Sequence, residues 1–122
     1  MMMIILTCIF LIQEPQVQQI GNDELIDMRA NPDVQIIDVR TPTEWSFGVI
    51  EGSKQIDFYG STFVEEINKL DKSKPVILYC AGGARSARAA EKFIETGFSE
   101  IYDLKEGFRG WKKSGFPVIA RK

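Results

Sequence analysis

The chain contains no histidine. That absence removes the Ser-His-Asp and Cys-His catalytic arrangements and every histidine-based metal site in one step. It has two cysteines, Cys8 and Cys80. They are too few for a disulfide framework or a four-cysteine zinc site, and they form no C-x-x-C pair. Thioredoxin-type redox chemistry is therefore disfavoured. No basic cluster exists either: 15 Lys and Arg stand against 17 Asp and Glu, scattered to a net charge of -2. A nucleic-acid partner is not expected. No internal repeat or low-complexity segment is present, and no apolar run reaches the roughly 20 residues that a membrane span requires. The longest uncharged apolar stretch is the opening MMMIILTCIFLI. It reads equally well as the apolar part of a secretory signal or as an N-terminal packing arm. Against the signal stand the lack of a preceding basic residue and the Gln13-Glu14-Pro15 that follows directly. Thr7 before Cys8 argues for an incidental cysteine over a lipoprotein site. The compartment is left open between cytoplasmic and exported.

At 122 residues, 44% hydrophobic and 26% charged, the chain fits one compact domain over residues 16–122, preceded by the apolar segment 1–15. Short apolar runs exchange with amphipathic stretches, which predicts an α/β fold: a central, mostly parallel, five-stranded sheet with helices on both faces. Strands are expected at 17–20, 34–39, 55–57, 76–79 and 101–104. Helices are expected at 24–30, capped by Asn22 or Asp23, at a short turn opened by Thr41-Pro42-Thr43, and at 61–70, 86–96 and 108–113. Val76-Ile77-Leu78-Tyr79 is apolar throughout, as a strand buried on both faces should be, and it delivers Cys80 to the carboxyl edge of the sheet. Ligands bind at that edge in open α/β sheets.

Tyr79-Cys80-Ala81-Gly82-Gly83-Ala84-Arg85-Ser86 is the most informative segment. Gly82 and Gly83 permit backbone angles that aim successive N–H groups inward, and the helix that follows points its positive end at the same spot. Those donors, with Arg85, are expected to stabilise the Cys80 thiolate without any histidine. The bland alternative, a small buried cysteine at a strand end, is the weaker reading beside two glycines and an arginine.

C-x-x-G-x-R-S directly after an apolar strand resembles the active-site loop of the rhodanese family of sulfurtransferases. Ile37-Asp38-Val39-Arg40 with Glu44 resembles its D-V-R-x-x-x-E element. Gly48-Val49-Ile50-Glu51-Gly52-Ser53 stands where it has G-H-I-x-G-A. Gly107-Phe108-Arg109-Gly110-Trp111 through Gly115-Phe116-Pro117-Val118 resembles its closing pattern. The resemblance implies a rhodanese-like fold and a Cys80 persulfide. It implies a binding loop of Ala81, Gly82, Gly83, Ala84, Arg85 and Ser86, supported by Asp38, Arg40 and Glu44, and no metal or organic cofactor. Partners would be a small-molecule sulfur donor and acceptor, or a protein thiol; the oligomeric state is left open. Asp38 and Arg40 are expected to pair beneath the loop, Glu44 to cap a turn or pair with Arg40, and Trp111 to be core. Arg88 and Arg109 are assigned to the solvated surface.

Three departures matter: Val49 replaces a histidine, Ala81 a frequent basic residue, and Ser53 an alanine. With Ala81 in place, Arg85 is the only evident cation in the loop, which argues against tight binding of a dianionic donor and points to another persulfide. Two competing functions remain. Phosphatases and arsenate reductases on related sheets carry H-C-x5-R, one residue longer than the C-x4-R present here, with a histidine where Tyr79 stands. A non-catalytic rhodanese-like binding or sulfur-carrier module would more commonly have lost the cysteine.

Overall fold

The computed structural model describes residues 3–5, 7 and 16–121. Five strands, β1 (Gln16–Ile20), β2 (Gln35–Asp38), β3 (Ser53–Gln55), β4 (Val76–Tyr79) and β5 (Glu100–Leu104), form one sheet in the order β1-β5-β4-β2-β3. Every pairing is parallel. Parallel neighbours need crossovers, and these are supplied by α1 (Asn22–Arg29), α2 (Pro42–Trp45), α3 (Phe63–Asn68) and α4 (Ala84–Thr96), with α5 (Gly107–Lys113) after the last strand. No helix among the described residues is long and apolar enough to cross a membrane. Met3, Ile4 and Ile5 are exposed, while Cys8 and most of the opening apolar segment lie outside the described residues.

The two-residue period of a strand divides β4 between two cores. Val76, Leu78 and Cys80 face Phe63, Ile67, Ala89, Ala90 and Phe93 of α3 and α4. Ile77 and Tyr79 face Leu25 of α1 and Phe108 and Trp111 of α5. All four residues of β4 are fully buried. Burial of such side chains contributes about 1.5–3 kcal/mol each, so the strand that delivers Cys80 lies in the best-anchored part of the sheet.

Some element boundaries differ from those expected, each for a local reason. Gly21, not Asn22 or Asp23, precedes the first helical residue of α1, and its amide donates to Glu24 Oε1 at 3.2 Å. β3 lies two residues earlier than expected, because its register against β2 pairs Ile36 with Ser53 and Asp38 with Gln55. The helix expected from Ser86 begins at Ala84, since Gly83 at φ +102° reverses the chain one step earlier. Ala84 and Arg85 therefore belong to its first turn rather than to a loop.

Beneath the carboxyl edge lies a buried polar network. Asp38 Oδ1 accepts from the Arg40 amide and Nε, and Oδ2 accepts from Arg40 Nη2 at 2.7 Å and from the Tyr79 hydroxyl at 2.8 Å. Arg40 also donates to the carbonyls of Gly48 and Glu44, and its guanidinium lies 3.9 Å from the centre of the Phe108 ring. Burial and the neighbouring Asp38 both hold the Tyr79 hydroxyl protonated. The network ties the end of β2, the turn at Gly48, β4 and α5 into one unit. Removing one partner of a buried pair leaves an uncompensated charge, so Asp38→Ala should cost about 3–5 kcal/mol of unfolding free energy. Replacing Arg40 by Met in the same chain should recover much of that loss in urea titrations, whereas a single-variant cost below about 1 kcal/mol would contradict the assignment.

Candidate active site

Of the expected loop residues, Gly83 and Ser86 stand within hydrogen-bond distance of the Cys80 sulfur. Cys80 is only 1% exposed, so Sγ sits at the floor of a cradle made by residues 81–83 and the first turn of α4. The Gly83 amide donates to Sγ at 3.0 Å. Ser86 Oγ is 3.5 Å from Sγ, and its hydroxyl donates to the Gly83 carbonyl at 3.0 Å. Among the described residues the amides of Gly82, Ala84 and Arg85 donate to no protein acceptor, which leaves three unpartnered N–H groups beside the start of a 13-residue helix. Unpartnered N–H groups at a helix start favour an anion by their partial charges and the helix dipole.

The loop takes this form because the start of α5 holds its carbonyls. The amides of Phe108 and Arg109 donate to the carbonyls of Cys80 and Ala81 at 2.7 and 3.0 Å. With those oxygens bound on the α5 side, the Gly83 amide is left for the sulfur. Gly107 makes the approach possible: it has φ +65°, and a Cβ there would stand 2.6 Å from the Ala81 carbonyl oxygen. Gly83, at φ +102°, makes the turn into α4.

Two charge assignments need correction. Glu44 pairs with Arg85, not with the Arg40 guanidinium, through bonds of 2.5 and 2.7 Å from Nη1 to Oε1 and from Nη2 to Oε2. Its carboxylate also accepts from the Thr41 amide and hydroxyl, so it caps α2 as expected. The physical reason is reach. Arg40 is held down by Asp38, whereas Arg85 rises from the first turn of α4 opposite α2. Arg85 is therefore not the unengaged anion-binding cation that the sequence suggested; its charge is shared in a fork-to-fork pair. Its pKa is raised first by the hydrogen bonds to Glu44, with a smaller contribution from facing Cys80. The same bonds lower the Glu44 carboxyl to about 2.

Asp38 and Arg40 pair beneath the loop, and Trp111 is fully buried with its indole N–H on the Pro117 carbonyl at 2.8 Å. Ser53, one of the departures, is used structurally: its hydroxyl lies 3.0 Å from the Tyr79 hydroxyl. Sequence reasoning missed Tyr79 as a polar partner, because a tyrosine in an apolar strand reads as core. It also missed Asp103, a buried β5 carboxyl with Oδ1 unpartnered among the described residues, whose pKa is raised by burial against an opposing contribution from Ser86. Arg88 is exposed but engaged, donating to the Tyr59 hydroxyl at 2.9 Å. A separate cleft of about 620 Å³, lined by Val49, Ser53, Gln55 and Arg121 among others, opens at the β3 edge and includes none of residues 80–86.

A family model described as Rhodanese-like domain matches residues 21–114. The Bacillus subtilis protein YqhL is 43% identical over 88 residues, which are 72% of this chain and 66% of that protein's length. The thiosulfate sulfurtransferase GlpE of Pseudomonas paraeruginosa is 35% identical over 95 residues, 78% of this chain and 84% of GlpE. A crystal structure of a rhodanese-related protein from Thermoplasma volcanium superimposes with a TM-score of 0.74 at 31% identity, covering 85% of this chain and 99% of that one.

Two outcomes follow from this geometry. Gly107→Ala should detach the loop carbonyls and abolish the cradle, lowering stability by about 1–3 kcal/mol through backbone strain; a variant with unchanged stability and Cys80 reactivity would show that the clamp is dispensable. Glu44 is lowered from 4.5 to about 2 in the folded chain, so its contribution is complete above about pH 4.5 and is lost as pH falls through about 2. With the two side chains 17% and 29% exposed, the contribution should be about 2–3 kcal/mol. Asp103 works in the opposite sense, and its effect cancels when wild type is compared with Glu44→Gln. The stability gap between those two chains should close on acidification over that window, and a gap independent of pH would refute the pairing.

Proposed function

This chain belongs to the rhodanese-like domain family, and on that premise we propose that it is a sulfurtransferase working through a Cys80 persulfide. The observation that carries the reading is the Gly83 amide directed at Sγ, in a loop whose amides at Gly82, Ala84 and Arg85 have no acceptor among the described residues. A thiolate recessed among N–H donors is stabilised as an anion, and a persulfide carries the same charge one bond further out. The amides of Gly82, Ala84 and Arg85 are the donors available to that outer sulfur.

The transfer proceeds in two displacements. The Cys80 thiolate attacks the sulfane sulfur of a donor such as thiosulfate. A bond forms between the two sulfurs, and the bond to the sulfonate sulfur breaks with its electron pair leaving on sulfite. Charge is conserved, since thiolate and thiosulfate become persulfide anion and sulfite. A nucleophilic acceptor, cyanide or a thiolate, then attacks the outer sulfur and departs as thiocyanate or a new persulfide, and Cys80 is returned as thiolate. Proteins named thiosulfate sulfurtransferase among the relatives support this class of donor. The Glu44–Arg85 pair weighs against phosphate chemistry, because a guanidinium held on a carboxylate does not present both its bonds to a tetrahedral anion.

Intact mass after thiosulfate treatment separates an enzyme from a non-catalytic module. Wild type should gain one sulfur atom, removable by cyanide or a reducing thiol. Cys80→Ser should fold with unchanged far-ultraviolet dichroism and gain none, while Cys8→Ser should behave as wild type. Loss of the adduct in both cysteine variants would overturn the one-cysteine mechanism, and no adduct on wild type would favour the binding module.

A further inference from the structure

The sequence gives the loop one cation, Arg85, and the fold commits it to Glu44. Ala81 adds none. Yet a donor such as thiosulfate carries a second negative charge on its sulfonate end, and that end must sit outside the sulfur cradle while its sulfane sulfur meets Sγ. A cation beside Gly82 comes from α5. A Cβ on Gly82 would stand 3.1 Å from Arg109 Nη1 and 3.9 Å from its guanidinium carbon, so the guanidinium lies across the face of that glycine. The Arg109 backbone is fixed there by its own amide, which donates to the Ala81 carbonyl at 3.0 Å. Among the described residues its side chain makes no ion pair and no hydrogen bond. Arg88, the other arginine near α4's start, is engaged by Tyr59 and stacked near Phe58.

We propose that Arg109 is the specificity-determining residue for anionic donors, holding the charged sulfonate end above the loop while the sulfane sulfur enters the cradle. The inference rests on the sulfurtransferase reading and deepens it by naming the donor class. It revises what the sequence implied, since the dianion is met by a side chain from α5 and not by one within the loop. It also gives the glycine at position 82, where φ is not positive, a role: a Cβ there would crowd Arg109 Nη1 at 3.1 Å. A planar fork suits the oxygens of a sulfonate better than a point charge does.

The test uses two donors of different charge, thiosulfate and cysteamine persulfide, whose ammonium offsets its terminal sulfur anion. Arg109→Gln should raise KM for thiosulfate about tenfold, the size expected for losing one charge-assisted contact, while KM for cysteamine persulfide stays within about twofold. Arg109→Lys should fall between, keeping the charge without the fork. Lys92→Gln, the same charge change far along α4, should leave both donors unaffected. Equal changes for the two donors, no change for either, or a wild type that accepts only the persulfide would overturn this inference alone. A wild type that gains sulfur from neither donor overturns the sulfurtransferase reading and this inference with it.

Discussion

Two hydrogen bonds from the start of α5 to the carbonyls of Cys80 and Ala81 fix the peptide orientation on which the site depends. A loop of small residues can turn its N–H groups or its C=O groups toward a side chain at its centre, and only the first choice stabilises an anion. By binding the oxygens, α5 decides between them. Gly107 lets the helix approach this closely, and Gly83 completes the turn so that α4 begins over the sulfur. The hydrophobic faces of β4 and α5 supply the rigidity. Tyr79 stacks against Phe108 with ring centres 6.2 Å apart, and Trp111 is fully buried behind them.

The charged residues around the loop are divided between holding and binding. Arg40 is consumed by Asp38 and the Gly48 carbonyl, deep under the loop. Arg85 is consumed by Glu44 at its rim, which locks α2 to α4. Both arginines therefore spend their donors on protein acceptors, and in the proposed mechanism the stabilisation of the sulfur falls to backbone dipoles. These need no counter-charge and undergo little reorganisation, so a chain without histidine can still hold a sulfur anion.

Much of this was legible in the sequence, for reasons that can be traced residue by residue. The apolar run 76–79 read as a central strand and is one, and the cysteine at its end, with Ala81 and two glycines after it, marked the candidate site. The D-V-R-x-x-x-E spacing marked Asp38, Arg40 and Glu44 as supports. What could not be read was which carboxylate meets which guanidinium. Asp38 and Arg40 are two apart on one strand end, so their pairing is local. Glu44 and Arg85 are 41 residues apart, and their pairing depends on how α2 faces α4. Arg109 was assigned to solvent for the same reason: its exposure is genuine, but its position over Gly82 follows from α5 folding back onto the loop. Tyr79 was hidden by its neighbours, since an aromatic in a buried strand reveals its hydroxyl contacts only when the facing layer is known.

The central claim is that backbone amides, rather than a side-chain cation, hold the transferred sulfur. A crystal structure of thiosulfate-treated protein, with sulfur positions located by anomalous scattering, tests it most directly. The account predicts one additional sulfur bonded to Cys80 Sγ, within hydrogen-bond distance of at least two of the amides of Gly82, Ala84 and Arg85, with the Glu44–Arg85 pair intact. An added sulfur contacting the Arg85 guanidinium, with that pair broken and the loop amides turned away, would contradict it.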